Sequence, residues 1–154
     1  MTRYEGPADG LPPQTALHEG RAVFTEAYAV IPRAVQRDIV TSLLPGWAGT
    51  RVWILARPLT GFAETFAHYV MEVDPGGGSD TPEPDTGAEA VLFSTEGRLT
   101  LTIDDKTHTL PPGGYAYIPP GTRWTLRNTS PAPARLHWIR KAYEAVDGIE
   151  RPDP

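Results

Sequence analysis

Proline and glycine interrupt this chain too often for long helices. Its 154 residues include 15 glycines and 17 prolines. They fall between short apolar runs, at Pro45-Gly46, Pro58, Pro75-Gly-Gly-Gly78 and Pro119-Pro-Gly121. A proline lacks the backbone N–H and carries a ring that a helix interior or a central strand rejects. Punctuation at this density predicts many short strands joined by turns. No segment carries an apolar period of 3.6 over twelve residues. Leu99-Thr-Leu-Thr-Ile103 alternates strictly, which places Leu99, Leu101 and Ile103 on one face of a half-buried strand. Asp104-Asp105 follows as a turn, and Lys106 to Leu110 completes a hairpin. Further strands are expected at 28–31, 38–44, 51–57, 65–73, 115–118, 123–127 and 135–141, about ten in all. With no internal repeat, the expectation is an all-β fold with one barrel and little or no helix. Its expected limits are 21–143, between an arm at 1–20 and a linker-like tail at 144–154.

Composition excludes several classes of function. The formal net charge is -5, so neither nucleic acid nor an anionic membrane surface is an expected partner. There is no cysteine, which removes disulfides, thiolate zinc sites and thiol nucleophiles together. That absence and the lack of a signal-like apolar run suggest the cytoplasm. No stretch is long and apolar enough for a membrane-spanning helix.

Two stretches carry a recognisable frame. The spacing of Gly113, Pro119, Gly121, Trp124 and Asn128 is similar to cupin motif 2, with Trp124 where the motif has a histidine ligand. The spacing of Gly78 and Gly97 resembles motif 1. In that register the three ligand positions are Pro84, Thr86 and Ala90. Counting from Gly77 instead puts Glu83 and Asp85 at the first two positions and leaves Ala90 at the third. Glu89, one residue off, should face away from the barrel axis. An indole nitrogen is a donor only and cannot ligate a metal. The expected fold is therefore a cupin barrel, a double-stranded β-helix, whose metal positions hold no usable ligand set. No cofactor is expected in this chain.

The resemblance narrows further. Thr60-Gly-Phe-Ala-Glu-Thr-Phe66, Pro75-Gly-Gly-Gly78, Gly87-Ala-Glu89, Gly113-Gly-Tyr-Ala-Tyr-Ile-Pro-Pro-Gly121 and Tyr143-Glu-Ala-Val-Asp-Gly148 resemble the N-terminal half of the (S)-ureidoglycine aminohydrolase family. The likeness runs from about Arg21 to Gly148. It implies a two-barrel protein of allantoin breakdown that hydrolyses ureidoglycine to ureidoglycolate and ammonia. It also implies manganese in the second barrel, held by a Glu-x-His-x3-His run and a later Gln. No such run occurs here; the histidines are His18, His68, His108 and His137. The resemblance thus implies a non-catalytic half whose partner is a second cupin domain or another copy of itself. The chain is expected to be a piece of a longer protein, with a stand-alone relative as the alternative.

Several residues stay open between roles. Trp124 either floors a small-molecule pocket, for a ureide for instance, or fills a barrel that holds no metal; filling is the preferred reading. Glu83 and Asp85, with Asp80 and Glu89, either bind a hard cation or lie in a solvated acidic loop, 74–88, too proline-rich to pair; the loop is preferred. His68 and His137 would form a general acid–base dyad if both faced into the barrel, although an isolated strand histidine is more often structural. Trp47, Trp53, Trp124, Trp138, Tyr115 and Tyr117 mark either an interface or the core. Three functions remain: a supporting half of the aminohydrolase, a metal-free binding module, and a metal-free enzyme built on a histidine. No catalytic residue is assigned.

Overall fold

The structure is a computed structural model and describes residues 22–24, 28–32, 44–57 and 65–153. The chain divides into two compact units, Met1–Val40 and Thr41–Pro154. In the first, β1 (Val23–Phe24) and β2 (Ala29–Val30) pair antiparallel, where a strand at 28–31 is expected. The strand expected at 38–44 lies outside the described residues except for Leu44, which is not in a strand.

The second unit contains β3 (Ala48–Ala56), β4 (Phe66–Ser79), β5 (Ala88–Glu96), β6 (Leu99–Ile103), β7 (Lys106–Leu110), β8 (Tyr115–Ile118), β9 (Trp124–Arg127) and β10 (Ala134–Ala142). All pairings are antiparallel, in the order β7-β6-β9-β4-β10-β5-β8, with β3 on the other edge of β4. Among the described residues there is no helix. The expected all-β barrel is what forms. Its core holds Val52, Met71, Val73, Leu92, Leu99, Leu101, Leu126 and Leu136, each at most 1% exposed.

The sequence-based strand at 65–73 proves too short. β4 continues through Asp74-Pro-Gly-Gly-Gly to Ser79, so the first six residues of the expected acidic loop are strand, with Gly78 and Ser79 paired. Gly78 opposes Arg127 and Ser79 opposes Leu126 across β9. A Cβ on Gly78 would stand 2.0 Å from the Leu126 carbonyl oxygen, and its φ of 136° is one that other residues rarely adopt. The first glycine of the motif 1 frame therefore serves to bring two strands together. The motif's asparagine acts in the same corner. Asn128 is fully buried. Its Nδ2 donates to the carbonyls of Val73 and Ala132, both at 2.8 Å. Its Oδ1 accepts from the Ser130 backbone N–H at 2.9 Å and the Ser130 hydroxyl at 2.6 Å.

The β6–β7 hairpin closes through Asp104 and Asp105 at φ 43° and 68°, the left-handed pair a two-residue primed turn requires. Asp105 also meets Arg123 at 3.0 Å, but both side chains are largely exposed, so that ion pair contributes little. Asp105→Gly removes a Cβ from a left-handed position. It is expected to stabilise the unit by roughly 0.5–1 kcal/mol, seen as a higher midpoint in urea unfolding with an unchanged slope.

Candidate functional site

The barrel interior opens near the turn from β8 to β9, in a pocket of about 190 Å3 whose walls include Glu83, Thr86, Ala90, Ile118 and Trp124. Strand alternation explains which side chains enter. On β10, Leu136 and Trp138 are buried in the core, so Arg140, two residues on, points to the same side. Arg140 stands directly opposite Ala90 of β5. The small side chain at this ligand position leaves room, and Arg140 uses it.

Its partner is Glu83. Arg140 Nη2 donates to Glu83 Oε1 at 2.7 Å. Arg140 Nε lies 2.5 Å from Glu83 Oε2; that second contact is an ion pair whose angle falls outside hydrogen-bond geometry. The Glu83 side chain is only 7% exposed, and its Oε1 also accepts the Asp85 backbone N–H at 3.0 Å. The expected solvated loop is therefore corrected at Glu83, which turns inward because a guanidinium waits there. Asp85 is exposed and accepts the Gly87 N–H at 2.9 Å. Asp80 pairs with Arg127 at 2.6 Å.

Aromatic rings take up the space beyond. Trp124, 4% exposed, meets Trp47 at 6.4 Å and Trp138 at 5.8 Å between ring centroids. Trp138 lies 5.6 Å from Trp47 and 5.4 Å from Tyr69, and the Arg140 guanidinium sits 5.9 Å over its ring. The Trp47 indole donates to the Pro82 carbonyl at 3.3 Å. Three of the candidate interface aromatics are thus core, while Trp53 and Tyr117 are half-buried and Tyr115 is 62% exposed.

The donor set does not fit a metal. Pro84 and Thr86 are exposed, Ala90 has no donor, Trp124 offers only an N–H, and Glu83 is held by a cation. Among the described residues no group of three or more His, Asp or Glu side chains is placed to hold an ion.

Outside the barrel, His68 and His137 do come together, with Nε2 of one 2.8 Å from Nδ1 of the other. They do not face the interior. His137 alternates with Leu136 and Trp138, and His68 with Tyr69, so both project from the outer face of the β4–β10 pair. The alternative of an inward dyad is not what forms: the pair exists on the opposite side of the sheet. Burial lowers the pKa of both, that of His68 to about 4, with the His137 charge adding to the effect. A histidine whose folded pKa is lowered binds protons more readily when unfolded. Stability is then undiminished above pH 6.5 and falls as the pH drops from 6.5 towards 4. His68→Gln is expected to flatten that part of the stability profile, measured as urea midpoints between pH 7.5 and 4.5.

Glu89 also faces outward, as its position one residue off the frame requires, and accepts a hydrogen bond from the Tyr117 hydroxyl at 2.7 Å. Burial and that bond push the phenol up to about 12. On the same face Phe93 is 42% and Ile139 36% exposed. The tail beyond β10 packs locally: the Tyr143 N–H donates to the Gly87 carbonyl at 2.9 Å, and Arg151 lies 5.8 Å over the Tyr143 ring.

This architecture is that of a cupin barrel, and the cupin-domain family model matches residues 69–140. The chain is 28% identical over 110 residues to (S)-ureidoglycine aminohydrolase of Escherichia coli (strain K12), a match covering 71% of this chain and 41% of that protein. A putative glyoxylate-induced protein from Pseudomonas aeruginosa superposes with a TM-score of 0.80 at 54% identity, over 99% of this chain and 55% of that one. The protein Ylba from E. coli superposes with a TM-score of 0.74 at 25% identity, over 89% of this chain and 55% of that one. The chain therefore spans about half the length of these relatives.

Proposed function

We propose that this chain is the non-catalytic cupin half of a protein like (S)-ureidoglycine aminohydrolase. In the intact protein a second barrel would hold manganese and hydrolyse ureidoglycine to ureidoglycolate and ammonia, a step of purine breakdown through allantoin. The carrying observation is the interior itself, where the ligand positions hold Ala90 and Trp124 and a part-buried Glu83–Arg140 pair stands beside them. Three indoles and an internally neutralised carboxylate build a scaffold, not a hydrolytic centre. The likeness to the E. coli aminohydrolase, over part of its length, supports the family.

The partner in this reading is a second cupin barrel, in the same chain or in another copy. The outer face of β10, β5 and β8 supports it, because Ile139, Phe93 and Tyr115 expose apolar surface there. The absence of cysteine suits the cytoplasm. Purified chain is expected to release no ammonia from ureidoglycine with Mn2+, while a mixture with the second barrel of a relative does. Turnover by the isolated chain at the rate of the mixture would overturn the proposal.

A second reading, a metal-free binding module, draws on the pocket of about 190 Å3 walled by Trp124. It would take a small planar ligand such as a ureide on the indole. Thermal-shift measurement with ureides separates the two: saturable stabilisation lost in Trp124→Ala favours the module.

A further inference from the structure

The geometry points to a two-imidazole binding site for a divalent transition-metal ion, Cu2+ or Ni2+, formed by His68 and His137 on the outside of the barrel. Register creates it. His68 of β4 pairs with Ile139, and His137 of β10 pairs with Val70, so the two histidines are diagonal neighbours on one face. This diagonal brings Nε2 and Nδ1 to 2.8 Å. Small outward rotations of the two rings can bring both nitrogens to one ion at about 2.0–2.1 Å. Imidazole nitrogen suits Cu2+, Ni2+ and Zn2+, and the ordinary order of divalent affinities places Cu2+ above Zn2+ on the same nitrogen pair.

The surroundings suit this use. The cross-strand neighbours of the pair are Ala56, Ile139, Val70 and Phe93, none of them charged. Arg135, two residues from His137 on the same face, is neutralised by Glu72 at 2.8 Å and does not compete as a free cation. Ring centroids 5.1 Å apart place the two nitrogens on the line of centres, a straight hydrogen bond between two neutral rings. Binding the ion replaces that bond: the shared N–H moves to the other nitrogen of its own ring, both rings swing outward, and no net proton is released. Both side chains are half-buried, neither fully enclosed. Among the described residues no third His, Asp or Glu completes the set. Water would fill the other positions, and binding is correspondingly modest.

The test is calorimetric titration of untagged full chain with Cu2+, Ni2+ and Zn2+ near pH 7.5. One equivalent of Cu2+ is expected, bound more tightly than Zn2+. His68→Gln and His137→Gln should each weaken Cu2+ at least tenfold, while His108→Gln leaves it unchanged. Electron paramagnetic resonance of the wild-type Cu2+ complex should show coupling to two imidazole nitrogens, a readout independent of whether the variants fold. No saturable binding, binding that survives both substitutions, or coupling to fewer than two imidazoles would overturn the assignment.

Discussion

Replacing Asn128 by alanine is expected to destabilise the barrel by about 3 kcal/mol, one of the two largest effects in this chain. The side chain is 0% exposed and ties β4 to the β9–β10 loop. Its amide closes on the Val73 and Ala132 carbonyls, and its oxygen receives Ser130 twice. Val73 is itself 0% exposed, so no water reaches the carbonyl left behind, and an orphaned buried acceptor costs more than the bond that satisfied it. The backbone of the same residue joins the glycine corner, through Gly76 N–H to Asn128 O at 2.8 Å and Asn128 N–H to Gly77 O at 3.0 Å. Asn128→Asp should be at least as damaging, because it turns the donating end towards two carbonyls as a third acceptor. Ser130→Ala should cost only about 1 kcal/mol, since it removes the hydroxyl but keeps the backbone N–H to Asn128 Oδ1 and strands nothing in the core. Urea unfolding of the three variants measures this. Equal effects for Asn128→Ala and Ser130→Ala would show that the corner does not depend on the buried amide.

The asparagine belongs to the part of the molecule that is legible in the sequence. Gly78, Gly97, Gly113, Pro119, Gly121 and Asn128 keep fixed spacings because each sits where the backbone turns or two strands approach closely. Such requirements are local and allow few residue types. Strict alternation over Leu99–Ile103 was equally readable, since one face of β6 is wet. β5 was not, because Val91 and Phe93 on its outer face are as apolar as Ala90 and Leu92 within, and the period of two disappears. The two paired clusters were hidden for a different reason. His68 and His137 lie 69 residues apart, Glu83 and Arg140 57, and each meeting depends on the strand order and register around β10. The sequence pattern does not supply that order. It showed Glu83 as one carboxylate in an acidic, proline-rich run, with no sign that Arg140 would turn inward to neutralise it.

Arg140→Ala should therefore be the other severe substitution. The two ends of this ion pair are unequally covered, Glu83 at 7% side-chain exposure and Arg140 at 28%. Removing the arginine leaves a largely buried carboxylate with one backbone N–H for company, and a loss of about 3 kcal/mol is expected. Glu83→Gln should cost less, about 1–2 kcal/mol, because the guanidinium keeps its solvent contact and its place over Trp138, and the amide oxygen can still accept. Glu83→Leu combined with Arg140→Met should come within about 1 kcal/mol of the parent, since an apolar pair of similar volume avoids desolvating two charges. Urea midpoints are the measurement throughout, and Glu83→Leu alone, Arg140→Met alone and the combination form the cycle. Additive costs would mean that the two side chains act independently and that the contact is incidental. The same inequality bears on function. A cation placed beside Ala90 and Trp124 would have to share the interior with a fixed guanidinium whose own carboxylate is already committed. Restoring ligands at Ala90 and Trp124 would therefore be insufficient to restore a metal site: the arginine that took the vacated space would also have to leave.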